Sequence, residues 1–300
     1  MLQTFDPRNK DILININGVL APRDEARISP FDSLVQGGDG VWEGLRLYDG
    51  KVFRLNAHLD RLESSAKAMG FSEIPTKEVL IEAIQATLRA NKMTDGVHIR
   101  LTLSRGEKIT SGMDPRLNQS GCTLIVLAEW KSPVYDSTGI RLMTSSVRRF
   151  PPDCLDPNIH HNNLAQSILA KIQANTAGVD DALMLDVHGF VAETNATHVF
   201  LIEKGVVSTP TTQACPEGVT RDTVLQICRD NKIPFHVGDL SLTQVYRADE
   251  MFCTGTMGEI TPVIEVDGRS IGDGEIGPLS QHIGRLFQEE VKTAGDPLLS

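Results

Sequence analysis

Apolar residues recur along this chain at two periods, and the alternation between them marks out its elements. Asp11 to Asn17 has the short, β-prone run of a strand, and 44–48 and 51–55 flank Asp49-Gly50. That dipeptide favours a tight hairpin, because both central positions of such a turn take positive φ. The spacing then lengthens to three and four residues, with Leu59, Leu62, Ala66 and Met69 on one face, predicting a helix over 58–69 that Gly70 stops. A second helix is predicted over 77–90 through Val79, Ile81, Ile84 and Leu88, and strands over 97–104 and 122–129 close this half.

Between Trp130 and Thr138 the chain is polar, turn-rich and broken by Pro133, which places a linker over 131–137. Residues 1–130 then form a smaller N-terminal α/β domain and 138–300 a larger C-terminal one. Beyond the linker, strands are predicted over 140–145, 182–186, 191–193, 199–202, 251–253 and 263–266. His188-Gly189, Lys204-Gly205 and Asp267-Gly268 punctuate them as turns. Helices are predicted over 163–175, 220–230 and 278–292. No internal repeat is visible, which argues against solenoids and propellers.

Composition narrows the function classes. Three hundred residues, 40% of them hydrophobic, leave room for one large or two medium cores. The net charge of -10 argues against a nucleic-acid or anionic-membrane partner, since both require clustered Lys and Arg to displace counterions. No stretch is long and apolar enough to span a bilayer, and Met1 to Lys10 lacks the apolar core of a secretory signal. A cytoplasmic enzyme is the expectation. Cys122, Cys154, Cys215, Cys228 and Cys253 have no CxxC spacing, so neither a metal site nor a disulfide framework is expected.

Four segments carry chemistry. Gly218-Val219-Thr220-Arg221 opens a predicted helix, whose unpaired N–H groups and positive dipole end suit a phosphate, although taken alone Thr220 is more often a simple cap. Cys253-Thr254-Gly255-Thr256 ends a strand in small hydroxyl residues, as a second anion-binding turn or a plain strand exit. Glu193 ends a strand ahead of Thr194-Asn195-Ala196-Thr197. Arg61 stands between Leu59 and Leu62, near the rim of its helix.

Taken in order, these segments resemble the class IV aminotransferases, the fold type IV group that includes branched-chain and D-amino acid aminotransferases and aminodeoxychorismate lyase. The specific pieces are Gly38-Asp39-Gly40-Val41-Trp42-Glu43-Gly44, Phe53-Arg54-Leu55 with His58-Leu59-Asp60-Arg61-Leu62, Val191-Ala192-Glu193-Thr194, Gly218-Val219-Thr220-Arg221, and Thr254-Gly255-Thr256 with Ile260-Thr261-Pro262-Val263. The resemblance implies an α+β, two-domain fold, a homodimer, and pyridoxal or pyridoxamine 5'-phosphate as cofactor. It assigns the cofactor phosphate to Arg61, the N–H groups of Val219 and Thr220, and Thr256. Glu193 would pair with the pyridine nitrogen and favour its protonated form. Trp42 and Arg100 would meet the substrate side chain or a carboxylate, and the backbone of Thr256 and Met257 its α-carboxylate. The substrates implied are an amino acid and a 2-oxo acid.

One position departs from the family. The lysine that anchors the cofactor covalently and shuttles the α-proton aligns, without gaps, on His160 in Pro157-Asn158-Ile159-His160-His161-Asn162-Asn163. Lys171 lies eleven residues on, about 16 Å along a helix, too far to substitute. An imidazole forms no stable imine, so the cofactor should not be covalently anchored. It still moves protons, as in an unrelated group of sugar dehydratases with histidine at the lysine position. His160 is therefore the candidate catalytic residue of an amino-group transfer. The alternatives are a lyase on the same scaffold and a non-catalytic protein that binds cofactor or amine. Gly37 and Leu164 replace tyrosines usual in branched-chain enzymes, and His198 an asparagine, which leaves the substrate open.

Overall fold

The computed structural model describes residues 3–135 and 138–299; Asp136 and Ser137, within the expected linker, lie outside the described residues. The chain separates into two compact units. An N-terminal unit comprises Gln3–Ser132, Ile159–Asn163 and the C-terminal stretch from Lys292. A C-terminal unit comprises Pro133–Asn158 and Leu164–Val291. Both mix helices with sheet, as an α+β fold requires.

The N-terminal unit is built on β1 (Leu13–Ile16), β2 (Val19–Pro22), β3 (Gly40–Tyr48), β4 (Lys51–Phe53), β5 (Val97–Ser104) and β6 (Thr123–Trp130), with helices α1 (Ser33–Gly37), α2 (Leu55–Ala68) and α3 (Lys77–Ala90). Its antiparallel sheet runs in the order Gly295–Pro297, β4, β3, β5, β6, β1, β2. Val41, Leu45 and Leu47 of β3, with Ile99, Leu101 and Val126, pack against Leu59, Leu62 and Ala66 of α2 and Leu80, Ile84 and Leu88 of α3. Successive strand residues face opposite sides. Glu43 therefore shares the core-facing row of Val41 and Leu45.

Several boundaries differ from the periodic reading. The helix predicted from His58 begins at Leu55, because Arg54 takes the left-handed conformation (φ 51°) and turns the chain sharply out of β4. In α3 the inward position falls on Leu80, and Val79 is exposed. The third strand starts at Gly40 rather than Gly44.

That longer strand has a consequence for the site. Partner β4 pairs with β3 only at Leu47 and Tyr48, leaving an open edge over the rest. The Ile159–Asn163 segment fills it: Trp42 N–H donates to the His160 carbonyl at 3.0 Å, Asn162 N–H donates to Gly40 O at 2.8 Å, and His161 bridges Val41. A Cβ at Gly40 would stand 2.9 Å from Asn162 Nδ2 and 3.2 Å from Leu103 O, so glycine permits this approach.

The C-terminal unit contains β7 (Ile140–Thr144), α4 (Pro152–Leu155), α5 (Ala165–Ala177), β8 (Asp181–Leu185), β9 (Val191–Thr194), β10 (His198–Glu203), β11 (Val206–Thr209), α6 (Val219–Asp230), β12 (Phe235–Val237), α7 (Leu242–Tyr246), β13 (Glu250–Gly255), β14 (Glu259–Val266), β15 (Arg269–Ser270) and most of α8 (Pro278–Thr293). Its mixed sheet is ordered β12-β11-β10-β13-β14-β7-β8-β9, with β15 on β14. One face packs Val199, Leu201, Met251, Cys253 and Val263 with Leu240 and Val245; the other packs Phe200, Phe252 and Val207 against Val224, Cys228 and Ile283. In α5 the small residues Ala170 and Ala174 meet the sheet, and the larger Ile168, Leu169 and Ile172 are exposed. Among the described residues no helix is long and apolar enough to cross a membrane.

Candidate active site

In the N-terminal unit the chemistry gathers on one carboxylate. Glu43 has no exposed surface. Arg61 donates to it through Nε (2.8 Å to Oε1) and Nη2 (2.7 Å to Oε2), a forked, charge-assisted pair. His58 Nδ1 lies 2.7 Å from Oε2, and His160 Nδ1 lies 3.2 Å from Oε1. Burial drives this carboxyl up, but Arg61 and then His160 outweigh it and hold the carboxyl well below its ordinary value. Arg61, one helical turn from His58, is thus largely enclosed, not the rim residue its spacing suggests.

His160 is fixed from several directions. Its ring stacks on Trp42 with centroids 4.4 Å apart, and its own N–H donates to Ser65 Oγ at 3.0 Å. Burial and the Arg61 charge lower the basicity of the ring, Glu43 and the Trp42 backbone partly restore it, and the net shift is downward from 6.5. Arg100 lies over the other candidate substrate residue, its guanidinium carbon 3.7 Å from the Trp42 ring centroid, and donates to Asn162 Oδ1 at 3.0 Å. Burial lowers Arg100 to about 10, still a cation at neutral pH.

In the C-terminal unit Glu193 lies buried at the end of β9, and Arg149 Nη2 stands 2.7 Å from its Oε1. Arg149 also donates to Ser167 Oγ and Thr194 O, so the guanidinium ties Glu193 to α5 and to its own strand end. Helix α6 starts from Gly218 with no side chain capping its first turn, and Thr220 is buried inside that turn rather than serving as the cap. His198 closes on this terminus: its Nε2 lies 2.7 Å from Pro216 O, and it pairs across the sheet with Thr254. The turn carrying Thr256 and Met257 is half-buried and held by Val134 N–H donating to Met257 O at 3.3 Å. Lys171 is committed elsewhere, 2.9 Å from Asp181.

Residues 40–266 match the family model for amino-transferase class IV. The chain belongs to that family. It is 50% identical over 97% of its length to branched-chain-amino-acid aminotransferase-like protein 2 of Arabidopsis thaliana, covering 52% of that protein, so the chain spans about half the length of the first curated relatives it matches. A putative branched-chain-amino-acid aminotransferase of Methanocaldococcus jannaschii is 41% identical over 92% of this chain and 95% of its own. Among solved structures, the T.th. branched-chain amino acid aminotransferase with pyridoxamine 5'-phosphate superposes with a TM-score of 0.89 at 33% identity, over 97% of this chain and 99% of the other.

The motifs of the family assign no role to Glu43 or Arg149, though each is the partner of a residue that they do assign. Glu43 sits inside a family motif without a role, because a carboxylate on a core-facing strand position declares its partners only once the helix packs above it. Arg149 gives no signal at all. It lies beside Arg148 in an irregular stretch, and only the placement of Glu193 distinguishes the two.

Proposed function

We propose that this chain is a pyridoxal/pyridoxamine 5'-phosphate-dependent aminotransferase that moves an amino group between an amino acid and a 2-oxo acid, with His160 doing the proton transfer that lysine does elsewhere in the family. The residue types suit a phosphorylated pyridine, the covalent anchor apart. The uncapped first turn of α6 offers the N–H groups of Val219 and Thr220 to a phosphate, with Thr256 and Arg61 as further donors. Glu193, held by Arg149, offers a carboxylate to a ring nitrogen. When bound, the cofactor supplies an electron sink for the pair left behind as the substrate loses its α-proton.

The residues of the chain do the rest. Thr256 and Met257 present backbone groups for the substrate α-carboxylate, and Trp42 with Arg100 offers an aromatic wall and a cation for the remainder. A neutral imidazole at His160 takes the proton. The observation that carries this reading is that His160 is the group held against a buried carboxylate, whereas Lys171 is paired with Asp181. A homodimer is part of the proposal; the exposed Ile168, Leu169 and Ile172 of α5 are apolar surface that a second copy would cover.

The test is spectroscopic. The purified chain mixed with pyridoxamine 5'-phosphate and a panel of 2-oxo acids is expected to give pyridoxal 5'-phosphate and the matching amino acids. The cofactor should leave on dialysis, and borohydride should trap no protein-lysine adduct. With pyridoxal 5'-phosphate and a panel of amino acids, cleavage products in place of the matching 2-oxo acids would assign a lyase, and binding without turnover would reject an enzyme.

A narrower expectation concerns Gly218. An added Cβ would meet His198 Cε1 at 2.5 Å and Nδ1 at 2.8 Å, so the ring must give up its contact with Pro216 O or the first turn of α6 must shift. Gly218→Ala is expected to weaken pyridoxamine 5'-phosphate binding by about tenfold or more, roughly 1.4 kcal/mol, with little change in circular dichroism. Unchanged affinity by absorbance titration would remove the α6 terminus from the phosphate site.

A further inference from the structure

A carboxylate on an apolar sheet face is costly unless its charge is matched and its oxygens are hydrogen-bonded. Glu43 meets both conditions. Arg61 Nε and His160 Nδ1 share Oε1, while Arg61 Nη2 and His58 Nδ1 share Oε2. Held well below the ordinary carboxyl range, Glu43 is ionised at neutral pH, and an ionised carboxylate only accepts. Whichever ring nitrogen faces it must therefore carry the hydrogen.

We propose that Glu43 is a positioning residue for His160, whose carboxylate fixes the imidazole as the Nδ1–H tautomer and leaves Nε2 as the nitrogen that takes and returns a proton. This rests on the reading of His160 as the base. The arrangement follows the logic by which a buried carboxylate orients a histidine and stabilises its charged form without itself becoming protonated. The family's usual lysine needs no such partner, because an ammonium is symmetric about its axis and has no tautomers. An imidazole has two unlike nitrogens, and replacing amine with imidazole makes their assignment matter.

The surroundings leave the ring little freedom. The main chain of His160 is pinned on one side by its carbonyl, which accepts from Trp42 N–H, and on the other by its N–H, which donates to Ser65 Oγ. What remains is rotation of the ring, limited by the Trp42 stack and the Glu43 contact. The groups that set its charge are Arg61 from α2, which opposes protonation, and Glu43 together with the Trp42 backbone from β3, which favour it. Among the described residues, the one hydrogen-bond contact that the ring makes at a defined nitrogen is Nδ1 to Glu43 Oε1.

The proton step balances within this arrangement. The substrate Cα–H bond breaks, an N–H bond forms at Nε2, and the electron pair stays with the substrate and cofactor. The imidazolium so formed faces the Glu43 carboxylate. Return of the proton to carbon restores the neutral ring and breaks the new N–H bond.

The deciding measurement uses the cofactor-free chain with 15N-labelled histidine. At about pH 7, above the ordinary histidine value, long-range 15N–1H spectra of wild type are expected to give His160 as protonated at Nδ1 and bare at Nε2. In Glu43→Gln the amide has one acceptor oxygen for the two donors of Arg61, so its NH2 turns toward one histidine. The expected result is loss of the pure Nδ1–H signature or a lower titration midpoint for His160. With cofactor added, α-proton exchange should fall at least about tenfold, with the acidic limb of its pH profile moved to match the new midpoint.

Predominance of Nε2–H in wild type would overturn the proposal without any variant, so it stays testable even if Glu43→Gln fails to fold. An identical tautomer and midpoint in the folded variant would overturn it too. Failure of the functional reading looks different: His160→Ala would exchange α-protons as fast as wild type, whatever the ring spectra say.

Discussion

His160→Ala is expected to slow α-proton exchange by about 10²- to 10⁴-fold, the usual contribution of a positioned general acid–base group. Cofactor affinity should change far less, because the groups proposed above for the phosphate and the ring nitrogen lie in other segments. The fold should survive, since the edge-strand bonds of this segment are made by the main chain of residue 160 and its neighbours, which alanine retains. The variant also leaves Glu43 balanced by Arg61 and His58. Deuterium wash-in at the substrate α-carbon, measured with saturating pyridoxal 5'-phosphate, separates the proton step from binding. Exchange rates within about threefold of wild type would mean that His160 carries no proton.

The second large effect is on stability in acid. Glu43 binds its proton less readily in the folded chain than in the unfolded one, where its value is near 4.5. Its contribution is therefore complete above about pH 4.5 and is lost as pH falls from there toward the lower folded value. His160 acts in the same direction at higher pH. Its folded value is lowered from 6.5, so the unfolded chain takes up a proton first, and stability begins to decline as pH drops below that point.

Glu43→Gln removes the first of these terms. It leaves Arg61 and His58 facing a neutral amide, at a cost of about 3 kcal/mol at neutral pH, the scale for breaking a buried ion pair. The acid limb should become shallower as the overall level drops. Urea denaturation midpoints of the two proteins across pH 3 to 8, roughly the range spanned by these groups, test this. Parallel curves for wild type and variant would show that Glu43 is not the group titrating.

These expectations rest on elements that are unequally legible. The apolar periodicity of α2 is strong because Leu59, Leu62 and Ala66 all face one core, and it places Arg61 on the correct turn. The same method puts Val79 inward in α3, where Leu80 is buried; with apolar residues at 79, 80 and 81 in a row, spacing alone does not choose the face. In α5, the larger Ile168, Leu169 and Ile172 lie on the surface of the single chain and Ala170 and Ala174 pack against Ala182 and Met184 of the sheet, the reverse of what side-chain size alone suggests. Arg149 is invisible because an arginine in an irregular segment has no periodic neighbours to betray its direction.

By itself, the sequence determined that residue 160 is an imidazole and that the nearest lysine along the following helix is out of reach. It also supplied the ordered motifs of class IV, since those depend on residue identity and local spacing. Only tertiary structure decided that a strand edge left open by a short hairpin partner would be filled by Ile159–Asn163, carrying His160 to a carboxylate 117 residues earlier in the chain. That pairing comes from the register of strand addition and the packing of α2 over β3, and neither leaves a trace in local pattern because the groups it joins are distant along the chain.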